Sequence, residues 1–316
     1  MTADVLPHLT AQATATAHPG GAPCACGASV TLADRPDVTV VRHGGAVAKA
    51  HARDTDRAEL ALRLATAARH PEILLSPLTP DPAAVADRPV TFWPYGTPVD
   101  PDDPDAAPWE AAATLLARLH RCPAPAGLPP MRGPAKAARA MARLRAALST
   151  AREPHPAASP IRRAWAALPL WARAGAPMPG PGALCHGDLH LGQLVRHPSP
   201  DGPWRLIDVD DLGLGVAAWD LARPAAWYAC GLLPPDEWTR FLAAYRAAGG
   251  PAVPAYGDPW PALDVPARAL TVQTAALAVT KALAANRPLD EVEQALVDAC
   301  DRMGSVPPQL AGGFPK

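Results

Sequence analysis

The chain has 316 residues, and its 29 Lys plus Arg nearly balance 30 Asp plus Glu, a formal charge of −1. That length supports a sizeable core in one large domain or two lobes, and the near-neutral balance gives no electrostatic footprint for nucleic acid or an anionic membrane as partner. No run approaches the roughly 18 apolar residues of a membrane-spanning helix, and the opening Met-Thr-Ala-Asp lacks the basic and apolar blocks of a secretory signal. A cytoplasmic setting is therefore expected, with the six cysteines as thiols. Cys24-Ala-Cys26 is the only close cysteine pair, and no second pair accompanies it to complete a zinc motif.

Residues 1–27 are small and polar and read as a flexible N-terminal segment. Strands are predicted over 29–33, 38–42 and 46–50. Asp34-Arg35-Pro36-Asp37 and His43-Gly44-Gly45 supply the turns between them. The cap cluster Asp54-Thr55-Asp56 precedes a helix over 57–68, with Leu60, Leu62, Leu64 and Ala67 on its apolar side and Glu59 in its first turn. Val90 to Gly96 reads as a strand that stops at Pro94, followed by an acidic, Pro-broken connector, Asp100 to Asp105. A helix over 109–121 turns Ala112, Leu115, Leu116 and Leu119 inward. Residues 123–182 carry many prolines around two basic helical pieces, 135–149 and 160–174. After residue 215 the pattern is helical over 216–231, 235–248, 262–286 and 289–303, and a Pro/Gly-rich tail follows from Gly304.

Between these helical parts lies the most informative stretch. Leu194-Val195 and Trp204 to Ile207 flank a turn of Pro198, Ser199, Pro200, Asp201, Gly202 and Pro203, a hairpin signal. His186, Asp188, His190 and Gln193 precede the first arm, and Asp208, Asp210 and Asp211 close the second. A hairpin that sets an Asp/Gln loop against an Asp-tipped strand is a way to hold a divalent metal and a phosphate. One or two carboxylates plus an amide oxygen suit Mg²⁺, which takes the rest of its shell from water and substrate phosphates. Alone, the three aspartates would equally be a solvated strand end, Lys49 an exposed strand lysine, and Glu59 a first-turn charge favoured by the helix dipole.

Four motifs carry a resemblance: His186-Gly187-Asp188, Gln193 downstream of it, Ile207-Asp208, and Trp219-Asp220-Leu221-Ala222. With Val47-Ala48-Lys49 and Glu59, this spacing resembles the aminoglycoside phosphotransferase family, over roughly residues 28–300. The resemblance implies an α+β, bilobal protein-kinase-like fold. A small N-terminal β-sheet lobe plus one helix (28–96) would bind nucleotide. A larger, mainly helical C-terminal lobe (97–316) would carry the catalytic hairpin, with the helical insert at 123–182.

The resemblance also implies roles. Asp188 would orient the acceptor hydroxyl and take its proton late, while Gln193 and Asp208 would hold Mg²⁺. Lys49 would contact the α- and β-phosphates with Glu59 fixing its direction, and His190 would reach the γ-phosphate. Phe92, Trp93 and Tyr95 sit where the nucleotide hinge would be, packing against an adenine ring or the core. Asp220 would tie the catalytic loop from behind, His186 would brace it, and Asp210 and Asp211 would face substrate or a second metal. His51 and His120 read as structural. Gln193 departs from the family's usual Asn by one methylene, a change similar to the maltokinase and glucosamine-kinase branches. A Gly-rich phosphate loop is missing too; Asp34 to Asp37 is the turn in its place.

The expected activity is ATP- or GTP- and Mg²⁺-dependent transfer of the γ-phosphate to a hydroxyl of a small molecule: an aminoglycoside-like or other hydroxylated antibiotic, a sugar or an amino sugar. The basic insert argues for a neutral or anionic acceptor. The alternatives are a sugar kinase of the glucosamine-kinase or maltokinase type and a catalytically weak nucleotide-binding pseudokinase. A protein kinase is disfavoured, because no Asp-Phe-Gly and Ala-Pro-Glu pair bounds an activation segment.

Overall fold

The computed structural model describes residues 5–20, 24–103, 106–151, 153–180 and 182–305. Asp105, which ends the acidic connector, and the Pro/Gly-rich tail beyond Ser305 lie outside the described residues. The elements in chain order are α1 (Val5–Ala17), β1 (Val30–Arg35), β2 (Val38–His43), β3 (Ala46–Ala50), α2 (Arg57–Arg69), β4 (Ala83–Val85), β5 (Arg88–Pro94), β6 (Thr97–Pro98), α3 (Trp109–His120), α4 (Gly133–Thr150) and α5 (Ala158–Ala167). There follow β7 (Ala183–Cys185), β8 (Leu194–Arg196), β9 (Trp204–Leu206), β10 (Gly213–Gly215), α6 (Ala222–Ala229), α7 (Pro235–Ala247), α8 (Trp260–Ala284) and α9 (Glu291–Ser305). No described helix is long and apolar enough to cross a membrane.

Two compact units share the chain. The first comprises Met1–Pro108, Ala124–Pro129 and His190–Asp210. Its main sheet is antiparallel with strand order β1-β2-β3-β5-β4. Side chains alternate across a strand, so Ala48, Ala50, Val90 and Phe92 turn to one face and form a core with Val5, Leu9 and Ala13 of α1. Lys49, Thr91 and Trp93 turn to the other. The guanidinium of Arg88, 3% exposed, fastens the end of β3: it donates to the carbonyls of His51 (2.6 Å) and Ala50 (2.8 Å) and to Thr39 Oγ1 (3.3 Å). Asp56 caps α2 by accepting the N–H groups of Ala58 and Glu59.

The hairpin of β8 and β9, in register Leu194↔Leu206, belongs to this first unit. β6 pairs with β8. Leu206 also exchanges main-chain bonds with the segment after α2: its N–H donates to Ile73 O and its carbonyl accepts from Leu75 N, both at 2.9 Å.

The second unit comprises Trp109–Pro123, Pro130–Leu189 and Asp211–Lys316. Val272, Ala275, Ala276 and Val279 of α8 are fully buried against Met141 and Leu144 of α4, Ile161 of α5 and Leu296 of α9. The strand pair β7–β10 is joined at Cys185↔Gly213 and delivers the chain into the His186-Gly187-Asp188 loop.

The structure departs from the sequence reading in several places. Within 1–27, residues 5–17 form α1, because Val5, Leu9 and Ala13 recur at helical spacing and cover one sheet face. The boundary expected at 96/97 gives way to the interleaved division above, since main-chain bonding draws the hairpin to the first unit. The helix expected to 174 ends at Ala167, and after Pro169 only a 3-10 turn (Leu170–Arg173) forms. The helix expected from 216 begins at Ala222, after a 3-10 turn at Ala217–Trp219. Truncating Leu9, 0% exposed, tests α1 as a core element. Leu9→Ala should lower the unfolding free energy by about 2–5 kcal/mol in urea denaturation, whereas a loosely packed segment would leave it unchanged.

Candidate active site

Each unit assembles a cluster of aspartates around cations. In the first, the Lys49 ammonium lies 2.7 Å from Asp208 Oδ1 and 2.9 Å from Asp210 Oδ2. Burial disfavours charge on Lys49, but Asp208 and Asp210 outweigh it and hold its pKa well above the ordinary lysine value. Burial likewise opposes ionisation of Asp210; Lys49 and His51 override it and bring its carboxyl well below the usual range. Asp208 follows β9 with a φ of 65°. Asp tolerates this left-handed conformation better than most residues, and strain of this kind gathers at functional sites.

A hydrogen-bonded chain runs from β5 to these carboxylates. Trp93 Nε1 donates to Thr91 Oγ1 (2.9 Å), which lies 2.9 Å from His51 Nε2, and His51 Nδ1 meets Asp210 at 3.3 Å. On the other side, Gln193 Nε2 donates to Asp208 Oδ2 at 3.2 Å. The Gln193 carbonyl accepts the Ile207 N–H at 2.9 Å, fixing the loop to the strand end. The His190 carbonyl accepts the Gln193 N–H, and its ring packs beside Gly192.

Two residues expected at the nucleotide have other partners in the structure. Glu59 does not steer Lys49: its carboxylate pairs with Arg63 one helical turn on, at 3.1 Å, while Asp208 and Asp210 claim the lysine. Phe92 faces α1 in the core, on the opposite side of the sheet from Lys49. Tyr95 donates its N–H to Gly45 O and carries the Arg42 guanidinium 3.4 Å over its ring.

In the second unit, Asp220 is 1% exposed and accepts the N–H groups of His186 (2.6 Å) and Gly187 (2.7 Å). His120 Nε2 meets it at 3.0 Å, Tyr245 Oη meets His120 Nδ1 at 2.7 Å, and the Ala252 N–H donates to Tyr245 Oη at 3.0 Å. One set of proton positions satisfies the whole chain: Ala252 to Tyr245, Tyr245 to His120, His120 to Asp220. Burial pushes the Tyr245 hydroxyl far above the ordinary tyrosine value, so it remains a donor. His186 is fully buried. Gly187 has a φ of 86°, and a Cβ there would collide with the carbonyl of Asp211, so the loop requires glycine at this point.

The loop presents Asp188 with both oxygens engaged. Arg223 Nη2 donates to Oδ1 at 3.0 Å and Lys136 Nζ to Oδ2 at 2.5 Å. Lys136 also reaches Asp211 Oδ2 at 2.7 Å. Burial lowers the affinity of Lys136 for its proton, but Asp211 and Asp188 more than restore it, and its pKa is raised. Arg223 Nε donates to Leu189 O at 2.8 Å. At the start of α4, Gly133 lets the Trp219 indole close on its Cα, where any Cβ would overlap the ring. This approach brings the first turn of α4, and Lys136 with it, onto the loop. Lys136, Asp188, Leu189, Trp219, Arg223 and Gln273 line a small pocket.

Sequence reasoning treats Lys136 as one charge of a solvated basic face and assigns Arg223 nothing. The available signals are that Lys136 is the only lysine among the arginines of its insert, and that Arg223 follows Trp219-Asp220-Leu221-Ala222 directly.

Removing the Asp220 carboxylate strands three buried donors. Asp220→Ala should therefore cost about 3 kcal/mol or more in urea unfolding, and Asp220→Asn, which keeps one acceptor oxygen, should cost less. Asp210 gives a pH signature. Its pKa is depressed by folding, so its contribution is complete above the unfolded value of about 3.9 and is lost as pH falls through the folded value. Below about pH 4 the melting temperature of the wild type should fall more steeply than that of Asp210→Asn; equal slopes would contradict the assignment.

No curated protein matches the chain. Among solved structures it is similar to a choline/ethanolamine kinase family protein from Mesorhizobium loti, at 20% identity and a TM-score of 0.58, over 98% of this chain and 96% of that one. It is similar to a choline kinase from Cryptosporidium parvum at 12% identity and a TM-score of 0.57, over 92% and 93% of the two chains. A spectinomycin phosphotransferase solved with ADP and spectinomycin matches at 12% identity and a TM-score of 0.57, over 89% and 90%. These likenesses establish a protein-kinase-like fold. The sequence profile of the phosphotransferase enzyme family, APH, matches residues 37–263, well over half of the chain, and the protein belongs to that family of small-molecule phosphotransferases.

Proposed function

We propose that the protein is an ATP- or GTP-dependent, Mg²⁺-requiring kinase that phosphorylates a hydroxyl of a hydroxylated antibiotic, a sugar or an amino sugar, favouring neutral or anionic acceptors over polycationic aminoglycosides. The observation that carries this reading is Asp188, held on a loop tied down through Asp220 and flanked by Lys136 and Arg223. A carboxylate with a cation on each oxygen is a weak base. It retains lone pairs that accept a hydroxyl proton, which suits a transition state in which that proton leaves late. Asp188 and Asp211 neutralise these two cations locally, so the preference against a polycation rests on the basic insert at 123–182.

On the phosphate side, Lys49 keeps its charge for the α- and β-phosphates. Asp208 offers carboxylate oxygens, and Gln193 offers an amide oxygen once its amide is turned over. This hard-oxygen set fits Mg²⁺. Bound there, the ion would neutralise charge on the β- and γ-phosphates. Asp210 is committed to Lys49 and His51 and Asp211 to Lys136, so in this reading both position charges. His190 supplies a further donor toward the γ-phosphate. A cytoplasmic setting and the lack of a nucleic-acid partner belong to the same reading.

A weak pseudokinase is the second reading, favoured by the Lys136–Asp188 pairing and by Gln193. A coupled nucleotide-consumption screen over aminoglycosides, other hydroxylated antibiotics, glucosamine, maltose and small alcohols separates the two. The kinase reading expects turnover with a neutral or anionic acceptor, and Asp188→Asn should reduce it by about 10²–10⁴-fold. Full activity in that variant would remove Asp188 from the chemistry. Mg²⁺-dependent thermal stabilisation by nucleotide without any turnover would favour the pseudokinase.

A further inference from the structure

A second cluster of reactive side chains lies in the first unit, apart from the groups discussed above. His18 follows α1, Cys24 and Cys26 lie in the segment before β1, and His43 ends β2. One ligand atom from each comes within 4.8 Å of all the others. Cys24 Sγ is 3.0 Å from His43 Nε2, and Cys26 Sγ is 3.5 Å from His18 Nε2. The two imidazoles meet edge to face at 5.4 Å.

Two thiolates and two imidazole nitrogens are a tetrahedral zinc donor set. Zn–S bonds of about 2.3 Å and Zn–N bonds of about 2.0 Å put sulfur and nitrogen roughly 3.5 Å apart. The Cys26–His18 pair stands at that separation and the Cys24–His43 pair slightly inside it. The surroundings orient the donors as outer-shell groups do. Ser29 Oγ holds His43 Nδ1 at 2.9 Å and leaves Nε2 for the cluster. The Cys26 N–H donates to Cys24 Sγ at 3.2 Å and fixes that sulfur toward the cluster. Gly44 (φ 51°) leaves room for the Cys26 sulfur, which a Cβ there would meet at 2.9 Å. A sequence search for a second cysteine pair misses this arrangement because histidines on either side of Cys24-Ala-Cys26 complete it.

We propose that His18, Cys24, Cys26 and His43 bind one structural Zn²⁺ that clamps the end of α1 to the β2–β3 turn. The four-ligand set leaves no open position, which distinguishes a structural site from a catalytic one. Its position at the turn into β3 makes it a brace for the strand that carries Lys49.

The test uses the full chain, purified under reducing conditions without chelator. Elemental analysis should find stoichiometric zinc. Replacement by Co²⁺ should give thiolate-to-metal charge-transfer bands and the intense visible absorption of tetrahedral cobalt. Cys24→Ser and Cys26→Ser should lose the metal, while Asp208→Asn should keep it, separating this site from the proposed Mg²⁺ site. Should the cysteine variants fail to fold, alkylation and peptide mapping of the wild type decides: both cysteines are exposed and should gain label only after chelation. Chelation should also lower the melting temperature in nucleotide-free buffer. A reduced chain with no zinc and no cobalt–thiolate bands, cysteines labelled equally with and without chelator, or a Cys24–Cys26 disulfide whose reduction brings no metal uptake would overturn the proposal.

Discussion

The buried carboxylate of Asp220 is the interaction on which the His186-Gly187-Asp188 loop depends. An isolated carboxylate in a protein interior is costly, and here it is offset by two main-chain N–H groups and His120. No Arg or Lys is needed, because oriented dipoles surround the charge. The two N–H groups belong to the residues immediately before Asp188. The main chain at Asp188 is therefore set by backbone geometry and by the absence of a side chain at Gly187, while Arg223 and Lys136 hold its carboxylate. The chain through Tyr245 to Ala252 extends this support into the segment after α7.

The two units handle negative charge in the same way. Lys49 bridges Asp208 and Asp210; Lys136 bridges Asp188 and Asp211. Each lysine offsets the repulsion between two carboxylates, and each carboxylate pair stabilises a charge that burial alone would discourage. Asp210 and Asp211 are consecutive, yet the first answers to Lys49 and the second to Lys136. The division of the chain into units falls between them.

Much of this was legible in the sequence. His186-Gly187-Asp188, Asp208 and Asp220 are read from short, rigid spacings in which local chain geometry determines what meets what. Lys136 and Arg223 were not, since their partners lie 52 and 35 residues away and a basic helix face looks the same whether it is solvated or paired. Glu59 misled for the converse reason: a glutamate at a familiar spacing carries no information about the nearer Arg63. α1 was hidden by its composition. Thr and Ala fill the helix around Val5, Leu9 and Ala13, so its apolar stripe is narrow. With α1 unseen, nothing in the sequence turned Phe92 away from the face of the sheet that carries Lys49. β4, β7 and β10 have three residues each, too few for an alternating pattern to register.

Arg88 adds a different kind of anchor. Its guanidinium is fixed by two carbonyls and a hydroxyl, with burial drawing its pKa down. Hydrogen bonds from an arginine to carbonyls and a hydroxyl do not depend on a carboxylate staying ionised, and added salt weakens them less than an ion pair. The end of β3 is therefore held by an acid- and salt-tolerant fastening, while the lysine one step back on the same strand is held by an acid-sensitive one. Acidification releases the charge network of Lys49 before it releases the strand, so the first unit can lose its electrostatic poise while its sheet register stays intact.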